Sequence, residues 1–308
     1  MTIREQLGII RELSGLTQTQ LAEKIGVSFV AFNAWWNGKS VPRKRNRDRI
    51  DELYREYTGE RTVPDSVLTA KKGMVARRAD RHRGVLATLL KHRDIHDRFV
   101  LSLTYHSNKI EGSTLSEDET ADIMFNGRSI PDKNIVEQLE VKNHQAALGY
   151  LFRHLEEGGR IDEALVLRLH GILMNGIRDD AGTYRRHGVR IVGSNVPTAN
   201  FLRVPNLMDG IIADIRKRRK DHVAHVSGIH ARFEQIHPFS DGNGRIGRLI
   251  LAAMLLIRDF PPAIIRQEEK RSYYTVLRKA QLQGDSSPLE AFVCDAVLCG
   301  FDILERKD

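Results

Sequence analysis

Cysteine is nearly missing from this chain: 308 residues hold only Cys294 and Cys299. Two late cysteines exclude a disulfide-stapled secreted scaffold and read as reduced thiols in a terminal helix. No stretch is long and apolar enough to cross a membrane. The start also lacks the basic, then apolar, then small pattern of a signal peptide. The expected setting is therefore the cytoplasm of a bacterium, with no membrane partner. Strand-like alternation is scarce outside one short segment, so the expected class is mainly α. Internal repeats and low-complexity tracts are lacking too. The length leaves room for two domains and a sizeable core.

Charge is present but uneven. The formal net charge is +8. Residues 1–60 hold ten Lys and Arg against eight Asp and Glu, residues 61–100 hold ten against four, and the remaining 208 are neutral. The runs Arg43-Lys44-Arg45-Asn46-Arg47 and Lys71-Lys72 through Arg83 suit contact with a phosphate backbone. They suit a solvated helix face equally well.

The densest chemistry lies between His237 and Arg248, which read His-Pro-Phe-Ser-Asp-Gly-Asn-Gly-Arg-Ile-Gly-Arg. Ile246, Leu249, Ile250, Ala253, Met254 and Ile257 follow at the spacing of a helix face. Gly242, Asn243 and Gly244 therefore sit at a helix N-terminus, where unpaired N–H groups and the dipole favour anions. Arg245 and Arg248, three apart and off that apolar stripe, can grip phosphate oxygens. Asp241 is placed to hold a divalent cation shared with such phosphates. His237 is the group here that titrates near neutrality, so it can serve as a base.

Every fixed position of this stretch matches the pattern His-x-Phe-x-(Asp/Glu)-Gly-Asn-Gly-Arg-x-x-Arg, and the chain resembles the Fic (filamentation induced by cAMP) proteins. The resemblance extends to Gly182-Thr183-Tyr184-Arg185, Val189 to Ser194 and Val204 to Met208, and downstream to Tyr273-Tyr274, Leu277, Ala280 and Gly284-Asp285. It covers roughly residues 95 to 300. It implies a helical core with a short β-hairpin flap, and transfer of AMP from ATP to a Ser, Thr or Tyr hydroxyl of a target protein, the enzyme itself included. In that reading His237 is the base and Asp241 binds Mg²⁺ (or Mn²⁺). Gly242, Asn243, Gly244 and Arg245 hold phosphates, Val192 and Gly193 of the flap align the target, and Tyr274 joins the nucleotide site. The related Doc branch, which transfers a phosphoryl group, has lysine where Gly244 stands. Alternation around Val189 and Ile191, with Gly193-Ser194-Asn195 as a turn, supports the hairpin independently.

Ser107-Asn108-Lys109-Ile110-Glu111-Gly112 matches the inhibitory pattern of the family, (Ser/Thr)-x-x-x-Glu-(Gly/Asn). It ends a helix expected from about Asp94, stopped by Gly112 and followed by a capping box at Ser116 and Glu119. The resemblance implies that Glu111 forms a bidentate pair with Arg248 and denies the ATP γ-phosphate its seat. In some relatives the same glutamate assists AMP removal.

The first sixty residues form a different module. Thr17 with Gln20 is a capping box, Leu21, Ala22 and Ile25 are an inner face, Gly26 is a stop, and Ser28 starts the next helix. Together with Trp35 and Asn37-Gly38-Lys39, this resembles the Xre and lambda-Cro helix-turn-helix. Phe32 and Trp36 depart from that pattern, and Asn33 and Ala34 leave few base-reading side chains on the recognition helix. The expected division is a helix-turn-helix domain at 1–60, a basic connecting segment at 61–93 with its linker at Thr62 to Ser66, and a Fic domain at 94–308. Duplex DNA and a homodimer are open partners. A regulator whose Fic domain only senses nucleotide is the competing function. His222, His225 and His230 lack further ligands at metal spacing and read as packing rather than zinc, and His170 reads as structural.

Overall fold

The computed structural model describes residues 2–58, 63–191 and 196–306. Among them are fifteen α-helices and no strand. The first four are α1 (Ile3–Ser14), α2 (Gln18–Ile25), α3 (Phe29–Trp36) and α4 (Lys44–Thr58). Local signals set their ends. Thr17 Oγ1 accepts from Gln20 N at 3.3 Å while Thr17 N donates to Gln20 Oε1 at 2.9 Å, and Gly26 stops α2 at φ +78°. Leu7, Ile10, Leu21, Ala22, Ile25, Phe32, Trp35 and Ile50 form a small core of their own.

A second, larger core begins earlier than position 94. Helices α5 (Asp65–Ala79) and α6 (Val85–Lys91) occupy the stretch expected to be a basic connection, and their Val75, Val85 and Leu89 are buried in the larger core. Three of its basic groups are committed to the protein itself, while Arg77, Arg81 and Arg83 stay exposed. Lys71 pairs with Asp295, Lys72 with Asp221 and Glu290, and Arg78 with Asp302 and Glu305. Arg43, Lys44, Arg45 and Arg47 stay exposed as well.

The site is built from the helices that follow. These are α7 (Arg93–Glu111), α8 (Glu117–Phe125), α9 (Ile135–Glu156), α10 (Glu163–Leu173) and α11 (Val204–Ile215), then α12 (His222–Ile236), α13 (Asn243–Leu256), α14 (Lys270–Gln283) and α15 (Ser287–Leu304). Helix α13 is buried on every side, from Arg245 to Leu256. It packs against α7, α9, α10 and α12, as a helix without a polar face must. Helix α7 ends at Glu111 with Gly112 at φ +112°. Helix α4 packs against α14 and so joins the two units.

The expected hairpin is not found in the described residues. Val189 to Ile191 and the arm from Val196 adopt no strand, and Val192 to Asn195 lie outside the described residues. Pro197 has no N–H to give to a ladder. Thr198 Oγ1 instead donates to the Val189 carbonyl at 2.7 Å, so a side chain ties the two arms together.

Thr17→Ala removes the cap of α2 and should lower the stability of the N-terminal unit by about 1 kcal/mol. Chemical denaturation followed by tryptophan fluorescence reads it, because both tryptophans, Trp35 and Trp36, lie in that unit.

Candidate active site

The sharp connection from α12 to α13 brings the motif together. His237 caps α12 in the left-handed region, φ 53°, a conformation that costs a non-glycine residue energy and is held by its surroundings. Arg185 does the holding. It is 3% exposed and donates to the carbonyls of His237 (2.7 Å), Ile236 (3.2 Å), His187 (2.7 Å) and Ala199 (2.5 Å). Its backbone N–H donates to Pro238 O at 3.0 Å.

Asn243 closes the loop from the other side. Its Oδ1 accepts from Phe239 N at 2.8 Å and its Nδ2 donates to Phe239 O at 2.9 Å. The Asn243 side chain is therefore occupied, and what it can offer an anion is its backbone N–H in the first turn of α13. Gly242 precedes that turn at φ +75° and donates its own N–H to Asp241 Oδ1 at 2.6 Å.

His237 Nδ1 lies 3.1 Å from Glu234 O. A proton on Nδ1 makes that bond and leaves Nε2 as a lone-pair base. Burial lowers the His237 pKa below the ordinary histidine value. Asp241 is more than half exposed, 3.7 Å from Arg245 Nη2. A single hard carboxylate beside unpaired helix N–H groups fits Mg²⁺ or Mn²⁺ shared with a phosphate ligand.

The two arginines do not lie on an open face as the apolar stripe implied. Arg245 is 2% exposed and Arg248 9%, because each is met by groups from other helices. Arg245 Nη1 donates to Glu140 Oε1 of α9 at 2.6 Å. Arg248 Nε donates to Ser107 Oγ at 2.9 Å, and its Nη2 donates to Ser107 O at 3.1 Å and Glu111 Oε1 at 2.6 Å. The contact with Glu111 is thus through one nitrogen, not two, with Ser107 supplying the rest of the grip. Arg248 Nη1 is buried without a partner. Glu111 leans on Gly244 so closely that a Cβ there would collide with its carboxylate.

Beside these arginines opens a cavity of about 620 Å³, within the range of small-molecule sites. Glu111, His237, Asp241, Gly242, Asn243, Gly244 and Tyr274 all border it. Val192 and Gly193 lie outside the described residues. Three contributors escaped the sequence reading. Glu234 borders the cavity, and burial raises its carboxyl pKa to about 8. Its place three residues before His237, one helical turn away, is the available signal. Glu140 had none, since it lies 105 residues from its partner.

Arg185, through its carbonyl grip, is the third. His170 is expected to be structural, and it holds the motif loop. It accepts from Gly182 N at Nδ1 (2.8 Å), leaving Nε2–H to donate to Asp241 O at 3.1 Å. Its ring stacks on Phe239, with centroids 3.7 Å apart. Burial brings its pKa down to about 4, so it holds the loop as a neutral ring. The three histidines weighed as zinc ligands have ordinary packing partners: Met254 O for His222, Asp214 O for His225, and Gly247 O with Tyr273 Oη for His230.

His170→Ala should leave two polar groups unpaired and a gap against Phe239, at a cost of about 2–4 kcal/mol. Thermal unfolding reads the loss, and faster amide exchange over residues 237–243 locates it.

Comparison with known proteins agrees with this architecture. Residues 160–255 match the Fic/DOC family and residues 7–55 a helix-turn-helix family. A protein adenylyltransferase fic-1 of Caenorhabditis briggsae is 34% identical over 194 residues, covering 61% of this chain and 38% of that protein. A protein adenylyltransferase Fic of Nematostella vectensis is 32% identical over 195 residues, covering 61% and 45%. The chain thus spans less than half the length of the curated relatives it matches. Among solved structures, Fic-1 (residues 134–508) of C. elegans superposes with a TM-score of 0.67 at 23% identity, covering 94% of this chain and 83% of that one. That likeness concerns the fold. Motif, fold and matches together show that this chain carries a Fic/DOC-family domain preceded by a helix-turn-helix domain.

Proposed function

We propose that the chain is an autoinhibited protein adenylyltransferase, moving AMP from ATP to a hydroxyl of a protein. The observation that carries this reading is His237 beside the α13 N-terminus, its Nδ1 hydrogen-bonded and its Nε2 available. Nε2 takes the proton of the incoming hydroxyl as its oxygen attacks the α-phosphorus, and pyrophosphate leaves. The first-turn N–H groups of α13 and Arg245 stabilise charge on the phosphates. Arg248 meets the γ-phosphate once Glu111 releases it. Asp241 would hold Mg²⁺ or Mn²⁺, which when bound neutralises part of the phosphate charge.

The helix-turn-helix domain supports a role for duplex DNA as a partner. Exposed Arg43, Lys44, Arg45 and Arg47 suit phosphate contacts, whose strength falls steeply with salt. A pure nucleotide sensor is the weaker alternative, because sensing does not require a base held in one tautomer.

The pH dependence follows from burial. His237 acts only when neutral, and its pKa is lowered from the ordinary 6.5. Transfer should persist below pH 6.5 and be lost only as pH falls through the lowered value. A kcat/KM profile whose acid limb lies above 6.5 would count against His237 as the base.

Glu111→Gly should raise AMP incorporation, because it frees Arg248 without touching His237, Asp241 or the glycine turn. Adding His237→Ala to that variant should remove about two to four orders of magnitude. Label from ATP carrying a radioactive α-phosphate, counted on protein in a cell extract and on the enzyme itself, decides both. Equal incorporation by parent and Glu111→Gly would mean that Glu111 is not the brake.

A further inference from the structure

The catalytic cavity is not walled by the Fic domain alone. Leu13 at the end of α1 and Tyr57 at the end of α4, both from the helix-turn-helix domain, line the same cavity as His237, Asp241 and Gly244. The contact is a packed one. Helix α4 lies against α14, and the Arg271 guanidinium of α14 abuts Gly15.

We propose that Tyr57 is an acceptor of AMP, so that the enzyme modifies its own helix-turn-helix domain within one chain. The inference rests on the adenylyl-transfer reading above and names a target for it. Four of the cavity's lining residues carry hydroxyls: Tyr57, Ser240, Tyr274 and Thr275. Ser240 lies in the loop pinned by Asn243, His170 and Arg185, so it cannot move toward a nucleotide independently of His237. Tyr274 and Thr275 belong to α14, whose Tyr273 and Leu277 are buried in the larger core. An acceptor must approach the α-phosphorus from outside the groups that hold ATP. Tyr57 alone of the four comes from a unit with a separate core.

The surroundings of the phenol favour the chemistry. Lys24 Nζ donates to Tyr57 Oη at 2.6 Å and lies 4.8 Å from the ring centroid. That ammonium, which also faces Glu56 at 3.6 Å, stabilises the negative charge that grows on the oxygen as its proton leaves. In the transfer, Tyr57 Oη bonds to the α-phosphorus of ATP and His237 Nε2 takes the phenolic proton. The bond from that phosphorus to the oxygen bridging to the β-phosphate breaks, and pyrophosphate departs. The product is a phosphodiester joining Tyr57 to AMP, with the Lys24 ammonium beside it.

Full-length Glu111→Gly protein, incubated with ATP and Mg²⁺ and then digested, tests this by tandem mass spectrometry. The expected result is one adenylyl group on Tyr57, formed at a rate per molecule that does not change with protein concentration. Tyr57→Phe in the same background should abolish the label on that peptide, and Lys24→Met should slow its appearance several-fold. AMP found only on other residues, or a rate that rises with enzyme concentration, overturns transfer to Tyr57 within the chain and leaves the enzyme reading standing. If Glu111→Gly labels no protein at all, in extract or on itself, the enzyme reading falls and this inference with it.

Discussion

A buried guanidinium is the constraint around which the rest of this site is organised. Arg248 sits inside the protein, where an unpaired cation would cost several kcal/mol. Ser107 and Glu111 compensate it, and both come from α7, 141 and 137 positions away in sequence respectively. That requirement fixes α7 against α13 and places Glu111 over the first turn of α13. It also leaves no room for a side chain at Gly244. The same residue therefore leaves the helix N-terminus uncovered by a side chain of its own and admits the Glu111 carboxylate beside it. In the proposed reaction one anion replaces another, because the γ-phosphate takes over the role of Glu111. Arg248 then stays paired throughout, so activation needs no exposure of a naked charge.

Around this pair, the loop from His237 to Asn243 is held by groups that do not react. Arg185 fastens its start through carbonyls, Asn243 closes it on Phe239, and His170 supports it through Asp241 O. Each is a buried polar group whose hydrogen bonds are made to backbone, which positions a turn more strictly than apolar packing can. The left-handed backbone at His237 is the consequence. It lets α12 end and α13 begin within six residues, so the His237 ring and the N-terminus of α13 face one cavity.

How much of this was legible in the sequence depended on distance along the chain. The residues from His237 to Arg248 are contiguous, and each has a chemical reason to be where it is, so the candidate site could be read directly. Helix ends were legible for the same reason, as at Thr17, Gly26, Gly112 and Ser116, since caps are local. Glu111 could be tied to Arg248 only through resemblance, because no periodicity links positions so far apart. Glu140 and the carbonyl grip of Arg185 were not legible, for their partners are set by tertiary packing. The burial of Arg245 and Arg248 has no local signature, because their apolar stripe reads as one-sided although α13 is enclosed on all sides. The hairpin expectation rests on the family resemblance and on alternation at Val189 and Ile191, but Pro197 on the arm after the turn cannot donate.

The helix-turn-helix domain uses two of its helices in different ways. Helix α4 packs on α14 beside the cavity, whereas α3 leaves Phe29 45% and Val30 78% exposed. Basic residues from Lys39 to Arg47 stand near that apolar face in sequence. Apolar side chains on a recognition helix can meet thymine methyl groups while charges hold phosphates, so the composition of α3 does not by itself oppose DNA. Occupying α3 affects the chemistry at His237 only under one condition. The partner must bind differently when α4 is docked on α14 and when it is not, since equal affinity for two arrangements shifts neither. A partner that prefers the undocked arrangement would remove Tyr57 and Leu13 from the cavity wall, and by linkage whatever favours docking would weaken that partner's hold.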